Sequence, residues 1–191
     1  MDRILRGIMR YRVLDRATMV KQFQEVRDDP QPKAVFFTCM DSRMIPTRFT
    51  ETCVGDMFVV RNAGNLIPHS QFFVDEMTSC EPAALELGCV VNNIRHIIVC
   101  GHSDCKAMNL LYSLKGKEES SLINTLQQLQ NVASYGMLKK RLERHDLHIH
   151  ALWFDIYTGD IYYFSRRAKR FIIIDESSYE EILAEVRRYY S

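Results

Sequence analysis

A cysteine, an aspartate and an arginine occupy alternate positions in Cys39-Met-Asp-Ser-Arg43, and a histidine and a second cysteine stand three apart in Gly101-His-Ser-Asp-Cys105. Two thiols and an imidazole are a ligand set for a borderline-soft dication, Zn2+ above all. Three protein ligands, Cys39, His102 and Cys105, leave a fourth position open, which is the arrangement of a catalytic rather than a structural zinc. Asp41 is near enough in sequence to fill that position or to flank it, with Arg43 beside it. Each pattern alone is weak, since a cysteine at a strand end is commonly core and an Asp–Arg pair is commonly a surface ion pair. Their joint occurrence, each after an apolar run and before a polar turn, is the stronger signal.

The elements that must position these groups can be read around them. Ala34-Val-Phe-Phe-Thr-Cys39 is a short apolar run rich in aromatic and β-branched residues, and it predicts a buried strand. Ile97 to Cys100 predicts a second. In an open parallel sheet, ligands bind outside the carboxyl ends of the strands, so neighbouring strands would bring the three ligands to one point. Met57 to Val60 predicts a third strand running into Arg61-Asn-Ala-Gly-Asn65, a polar turn expected on the same face. Glu81 to Val91 reads as a helix with Pro82 in its tolerated first turn, and strand–helix–strand order implies a right-handed crossover. Ser103 or Asp104 is expected to cap a helix beginning near Cys105, whose positive end favours thiolate.

Elsewhere, residues 2–14 and Thr18 to Arg27 predict two helices, and Leu122 to Val132 another, with Met137, Leu138 and Leu142 continuing the pattern. His148 to Phe154 and Ile161 to Phe164, joined through Thr158-Gly159, predict an antiparallel hairpin at a sheet edge that Arg170 to Ile174 extends. Ser177 with Glu180 predicts a capping box for a last helix. The expected fold is α/β in one domain: a mainly parallel central sheet with an antiparallel edge hairpin, flanked by helices (residues 31–191), plus an N-terminal helical arm (residues 1–30).

A length of 191 residues, 47% of them hydrophobic, suits one domain with a sizeable core. A net charge of +1 argues neither for nucleic acid nor for a membrane surface, and no secretory pattern opens the chain. The six cysteines lie largely within apolar runs and predict reduced thiols, with Cys89 and Cys100 as small buried hydrophobes. There is no His-x-Glu with a later Cys-x-x-Cys for a deaminase, no Cys-x-x-Cys for a redox site and no phosphate-binding glycine loop. His148 and His150 share a strand face and read as structural; His96 and His145 are expected at the surface, His69 in a loop, Trp153 in the core. Arg166 to Arg170 reads as a solvated hairpin end. In residues 2–14 the apolar Ile4, Leu5, Ile8 and Met9 oppose Arg3, Arg6 and Arg10, either as an arm packing on the domain or a partner subunit, or as an Arg-rich mitochondrial import signal.

At Cys39-Met-Asp-Ser-Arg43, Val60-Arg-Asn-Ala-Gly-Asn65, Glu81-Pro-Ala-Ala-Leu-Glu-Leu87 and Gly101-His-Ser-Asp-Cys105 the sequence resembles the β-class carbonic anhydrases, and looks closest to the animal members. The resemblance covers nearly the whole chain. It implies zinc on Cys39, His102 and Cys105, a dyad of Asp41 and Arg43 beside the metal, and reversible hydration of CO2 to bicarbonate and a proton. Asp41 can also serve as a fourth ligand in a closed state. It implies a homodimer or tetramer, with no nucleic acid or membrane partner, and a mitochondrial or cytoplasmic location. Two departures stand out. Lys106 follows the second zinc cysteine where many members have glycine. The chain also passes from Leu114 to Leu122 through only Lys115 to Ser121, where members usually carry a longer segment. The alternative reading is therefore a zinc-binding but catalytically impaired relative; a hydrolase for CS2 or COS is a third.

Overall fold

A computed structural model describes residues 1–72, 79–114 and 121–190. β1 (Ala34–Cys39) is buried at every position. This is what a central strand needs: apolar groups on both faces, with a layer of helices on each. β1 pairs in parallel with β2 (Met57–Asn62) on one side and with β3 (His96–His102) on the other. β4 (His148–Phe154) lies parallel to β3, and β5 (Ile161–Ser165) and β6 (Arg170–Ile173) complete the sheet antiparallel. The order is β2-β1-β3-β4-β5-β6. The chain thus leaves β1 to one side for β2 and returns on the other for β3. The boundary between β1 and β3 is a topological switch point, where a crevice opens at the carboxyl ends of the strands.

Two apolar layers clamp the sheet. On one face Val35, Phe37, Ile97, Val99 and Ile149 meet Leu85 and Cys89 from the crossover and Val132 and Leu138 from the helices that follow. On the other, Phe36, Met44, Cys100 and Met108 surround the two site cysteines. The crossover is α4 (Cys80–Leu85) running directly into a π-helical stretch, Glu86–Val91, rather than one regular helix. Gly88 sits there because a Cβ would come 2.3 Å from a Val35 methyl. A single wide turn lets the backbone lie close to β1.

α5 (Lys106–Leu114) and α6 (Ser121–Ala133) follow β3, and α7 (Gly136–Glu143) leads into β4. Of the short link expected at Lys115 to Ser121, residues 115–120 lie outside the described residues. At the N-terminus α1 (Asp2–Leu14) and α2 (Arg16–Asp28) are helical as expected, and neither buries a residue. The arm therefore does not pack into the domain's core. After the short α3 (Pro46–Phe49), the last helix, α8 (Tyr179–Tyr190), departs from expectation at its start. Ser177 does not form a box with Glu180; its hydroxyl and N–H both donate to Asp175 Oδ1, which also takes the Ser178 N–H. An acidic side chain two residues earlier is the better acceptor for that cluster of amides.

His96 is half-buried rather than at the surface, because β3 begins one residue earlier than the apolar run suggests and pairs it with His148. Trp153 is only partly buried; its indole N–H donates to Ser121 Oγ at 3.1 Å and its ring packs edge-on to Tyr162. All six cysteines are free thiols, Cys89 and Cys100 buried, Cys53 and Cys80 exposed.

Candidate metal centre

Cys39 closes β1, His102 closes β3, and Cys105 stands just before α5. All three are buried, and their donor atoms lie within 4.8 Å of one another. The Cys39 and Cys105 sulfurs are 3.8 Å apart, about the separation of two thiolates each ~2.3 Å from a tetrahedral zinc. His102 Nδ1 lies 2.8 Å from the Ser103 carbonyl, which accepts its proton and so assigns the lone pair to Nε2. Nε2 is buried and has no hydrogen-bond partner. A buried, lone-pair-bearing nitrogen beside two sulfurs is the donor set of a dication, and zinc fits it.

Each ligand is held by its surroundings. Cys39 Sγ accepts the N–H groups of Asp41 and Gly64, both at 3.4 Å. Gly64 has φ +79°, and a Cβ there would lie 2.4 Å from Met108 Cε, so only glycine turns the chain this close to the sulfur. Asn124 on α6 donates to the Gly64 carbonyl at 3.0 Å and fixes the turn from behind. The expected caps of α5 do other work. Ser103 Oγ donates to Asp155 and accepts the Ile156 N–H, tying β3 to the end of β4. Asp104 holds Arg43. The sulfur of Cys105 itself receives the backbone N–H groups of Ala107 and Met108, so a metal ligand caps the helix.

These bonds set the charges. The Cys39 thiol is pulled down to about 4, first by the hydrogen bond from Cys105, then by His102 and the two backbone amides, against burial. Cys105 is pushed up, because it keeps the proton that Cys39 gives up and because it is buried. His102 is opposed by burial, yet rises because the Cys39 thiolate and the Ser103 carbonyl outweigh it. One proton thus sits between two sulfurs, and a dication in the same place would displace it.

Asp41 and Arg43 stand beside the sulfurs. The Asp41 carboxylate takes the Arg43 side chain at 2.9 and 2.7 Å and its backbone N–H at 2.9 Å. That pairing holds its carboxyl well below the usual range. Arg43 reaches on to Asp104, bonding its carboxylate at 2.8 Å and its carbonyl at 2.9 Å. Both Asp41 oxygens are therefore committed to Arg43, and Asp41 is not one of the converging donors. Arg61, at the end of β2 where the chain runs into the turn, donates to the carbonyls of Cys39 and Asp41 and braces the loop. The sequence placed that turn on the site face, but nothing local marks Arg61 as a strut, since its partners are backbone atoms of another strand.

A cavity of about 510 Å³ opens at this point, lined by Cys39, Met40, Asp41, Ser42, Arg43, Ala63, Lys106 and Ala107. A larger one, about 750 Å³, lies alongside between Leu66, Phe72, Glu81 and Gln128, and none of the three ligands lines it. The chemistry belongs to the smaller. His69 lies against Phe72 beside the larger cavity, and His148 and His150 lie at the far end of the sheet.

A family model described as carbonic anhydrase matches residues 34–127. The β carbonic anhydrase 1 of Caenorhabditis elegans is 41% identical over 254 aligned positions, which take in 100% of this chain and 94% of that protein. Because the chain has 191 residues, the surplus positions form internal sequence without a counterpart here. A Synechocystis carbonic anhydrase is 31% identical, covering 84% of this chain and 70% of its own. Among solved structures, the β-carbonic anhydrase CcaA superposes with a TM-score of 0.80 at 28% identity, over 91% of this chain and 99% of that one. A tetrameric β-carbonic anhydrase of Sordaria macrospora, at 18% identity and a TM-score of 0.65 over 86% of this chain and 98% of its own, shares the fold.

Proposed function

This chain belongs to the β-carbonic anhydrase family, and from that premise we propose that it is a zinc-dependent carbonate dehydratase, catalysing CO2 + H2O ⇌ HCO3− + H+. The observation that carries the reading is the convergence of Cys39, His102 and Cys105 beside an aspartate pinned by an arginine.

Cys39, His102 and Cys105 would hold the zinc. When bound, zinc supplies the Lewis acidity that makes water nucleophilic near neutral pH. Asp41 accepts a hydrogen bond from the attacking water and so fixes which lone pair faces CO2. Arg43 keeps that carboxylate ionised and in place through bonds to both its oxygens. The amino end of α5 and the Arg43 charge offset part of the negative charge that two thiolates bring. Met40, Ala63 and Ala107 supply the apolar wall that a small neutral substrate needs. The engagement of both Asp41 oxygens by Arg43 supports the open arrangement over the closed one in which Asp41 ligates the metal. Visible bands of a cobalt-loaded sample that stay constant between about pH 6 and 9 would agree with a single open state.

The test is stopped-flow CO2 hydration with zinc content measured on the same preparation. One zinc per chain with fast, inhibitor-sensitive hydration is the expected result. A folded sample without zinc would overturn the ligand assignment.

A second reading, a zinc protein impaired in catalysis, is favoured by one specific feature. Besides the internal segment that the nematode relative carries, Leu110, Leu114 and Ile123 on either side of residues 115–120 are 62, 77 and 64% exposed. Zinc present without turnover would select this reading. We also propose a homodimeric or tetrameric state, supported by the apolar stripe Ile4, Leu5, Ile8 and Met9 on an arm that buries nothing. Mitochondrial import is the further proposal that the Arg3, Arg6 and Arg10 face supports; fractionation of cells carrying the tagged chain tests it. Among the described residues, no helix is long and apolar enough to cross a membrane.

A further inference from the structure

We propose that Lys106 makes the mouth of the metal cavity an anion-binding site that retains bicarbonate and admits competing monovalent anions. The inference rests on the carbonate dehydratase reading and adds to it a residue that separates the neutral substrate from its charged product.

Lys106 follows Cys105 directly and is the first residue of α5. It lines the cavity of about 510 Å³ with Asp41, Arg43 and Ala63. The first turn of a helix is an unfavourable place for a cation, because the backbone already presents its positive end there. A lysine at this position adds its charge to that of the helix end, and both face the approach to the metal ligands. Arg43 lines the same cavity, but its guanidinium is spread over Asp41 and Asp104 by four hydrogen bonds, so its charge is used within the dyad. Lys106 is the other cation of the lining and is solvent-exposed; its charge also acts on Asp104, and its flexible ammonium can swing from that carboxylate to an anion at the mouth.

CO2 is neutral and gains little from a nearby ammonium; bicarbonate gains a charge-assisted hydrogen bond. The reaction's equilibrium constant ties kcat/KM of hydration to kcat/KM of dehydration. A residue that mainly strengthens bicarbonate binding therefore shows itself when KM and kcat for dehydration rise together on its removal, and in product inhibition of hydration.

The experiment compares the zinc-loaded full chain with Lys106→Gln, Lys106→Arg and, as a remote control, Lys139→Gln. Two probes are used: bicarbonate, as a product inhibitor of CO2 hydration, and thiocyanate, titrated into the cobalt-loaded protein through its visible bands. In Lys106→Gln both anion constants should rise about fivefold at low ionic strength, and the difference should shrink as sodium sulfate is added. Lys106→Arg should stay near the parent, as should Lys139→Gln. Anion constants in Lys106→Gln within twofold of the parent, in a parent that hydrates CO2, would overturn the inference and leave the enzyme reading intact. A parent without hydration whose thiocyanate constant still depends on Lys106 would overturn the enzyme reading and leave the anion site standing.

Discussion

β3 and its neighbours carry a buried cluster of titratable groups at each end, and the two clusters differ in almost every respect that makes a site. At the carboxyl end, Cys39, His102 and Cys105 aim their donors at one point, and backbone N–H groups feed the sulfurs. At the amino end, His96, His148 and His150 crowd together, with ring centroids 5.4 and 5.3 Å from His96 and with His96 Nδ1 3.1 Å from His150 Nε2. Both ends lower a pKa, with opposite meanings. Lowering the Cys39 thiol to about 4 stabilises its charged, metal-binding form. Burial lowers His150 to about 3 and His148 to about 4, and mutual repulsion with His96 and the nearby Arg95 and Arg166 adds to it, stabilising the neutral form. A perturbed titration therefore does not identify a site; the direction of the donors and the sign of the favoured charge do.

Removing a donor at the carboxyl end should have the largest effect. Cys105→Ser should reduce zinc from one per chain to a trace, measured by metal analysis of the purified protein, and hydration should fall to the uncatalysed rate. The cost is large because the substitution takes away one of the three converging ligands, while the serine hydroxyl can still cap α5. Retained stoichiometric zinc in that variant would refute the assignment. Asp41→Ala is the sharper test, since Asp41 is not one of the converging donors. Zinc should stay while kcat/KM falls about 10²–10⁴-fold, the range for a lost proton-handling group. Arg43→Lys should lose less than Asp41→Ala but fall clearly below the parent, because an ammonium keeps the charge beside Asp41 yet cannot reproduce the forked contact with both carboxylate oxygens.

The two ends were not equally legible in the sequence. The carboxyl-end ligands sit directly after apolar runs, so strand ends and ligands are read from the same few residues, and the parallel order supplies their convergence. His96 was read as a surface residue, because its environment is set by the register that places it opposite His148, fifty-two positions away. Arg61 was missed for the same reason: it acts on carbonyls of another strand. The caps went astray because Ser103, Asp104 and Ser177 each had a better long-range or acidic partner than the helix beside them. Local pattern finds elements and their ends; which polar group a side chain chooses is a tertiary competition.

Between the two clusters, Gly101 lets α6 lie against β3. A Cβ there would come 2.0 Å from Thr125 Oγ1 and 3.3 Å from Thr125 Cβ. Gly101→Ala should cost about 1–3 kcal/mol in denaturant unfolding, as overpacking does. Because Thr125 carries the obstructing atoms, Thr125→Ala in the same chain should recover part of that loss, whereas additive losses would place the strain elsewhere.

At the amino end the effect concerns pH. In the unfolded chain His148 and His150 titrate near about 6.5, whereas in the fold they titrate at about 4 and about 3. Below about pH 6.5 the unfolded chain therefore takes up protons that the fold refuses, so stability is intact above that pH and declines as pH falls toward about 4. His96, His145, Arg95 and Arg166 all oppose a further positive charge there. Between pH 7 and pH 5 the loss should be about 2 kcal/mol per histidine, or roughly 4–8 °C in the melting temperature of a chain this size. His150→Gln cannot be protonated in this range. Its melting temperature should fall less over the same interval than the parent's, with both proteins loaded with zinc and scanned side by side. Parallel declines would show that acid acts first at the carboxyl end, through protonation of the sulfurs and release of the metal, and that the histidine cluster is inert packing.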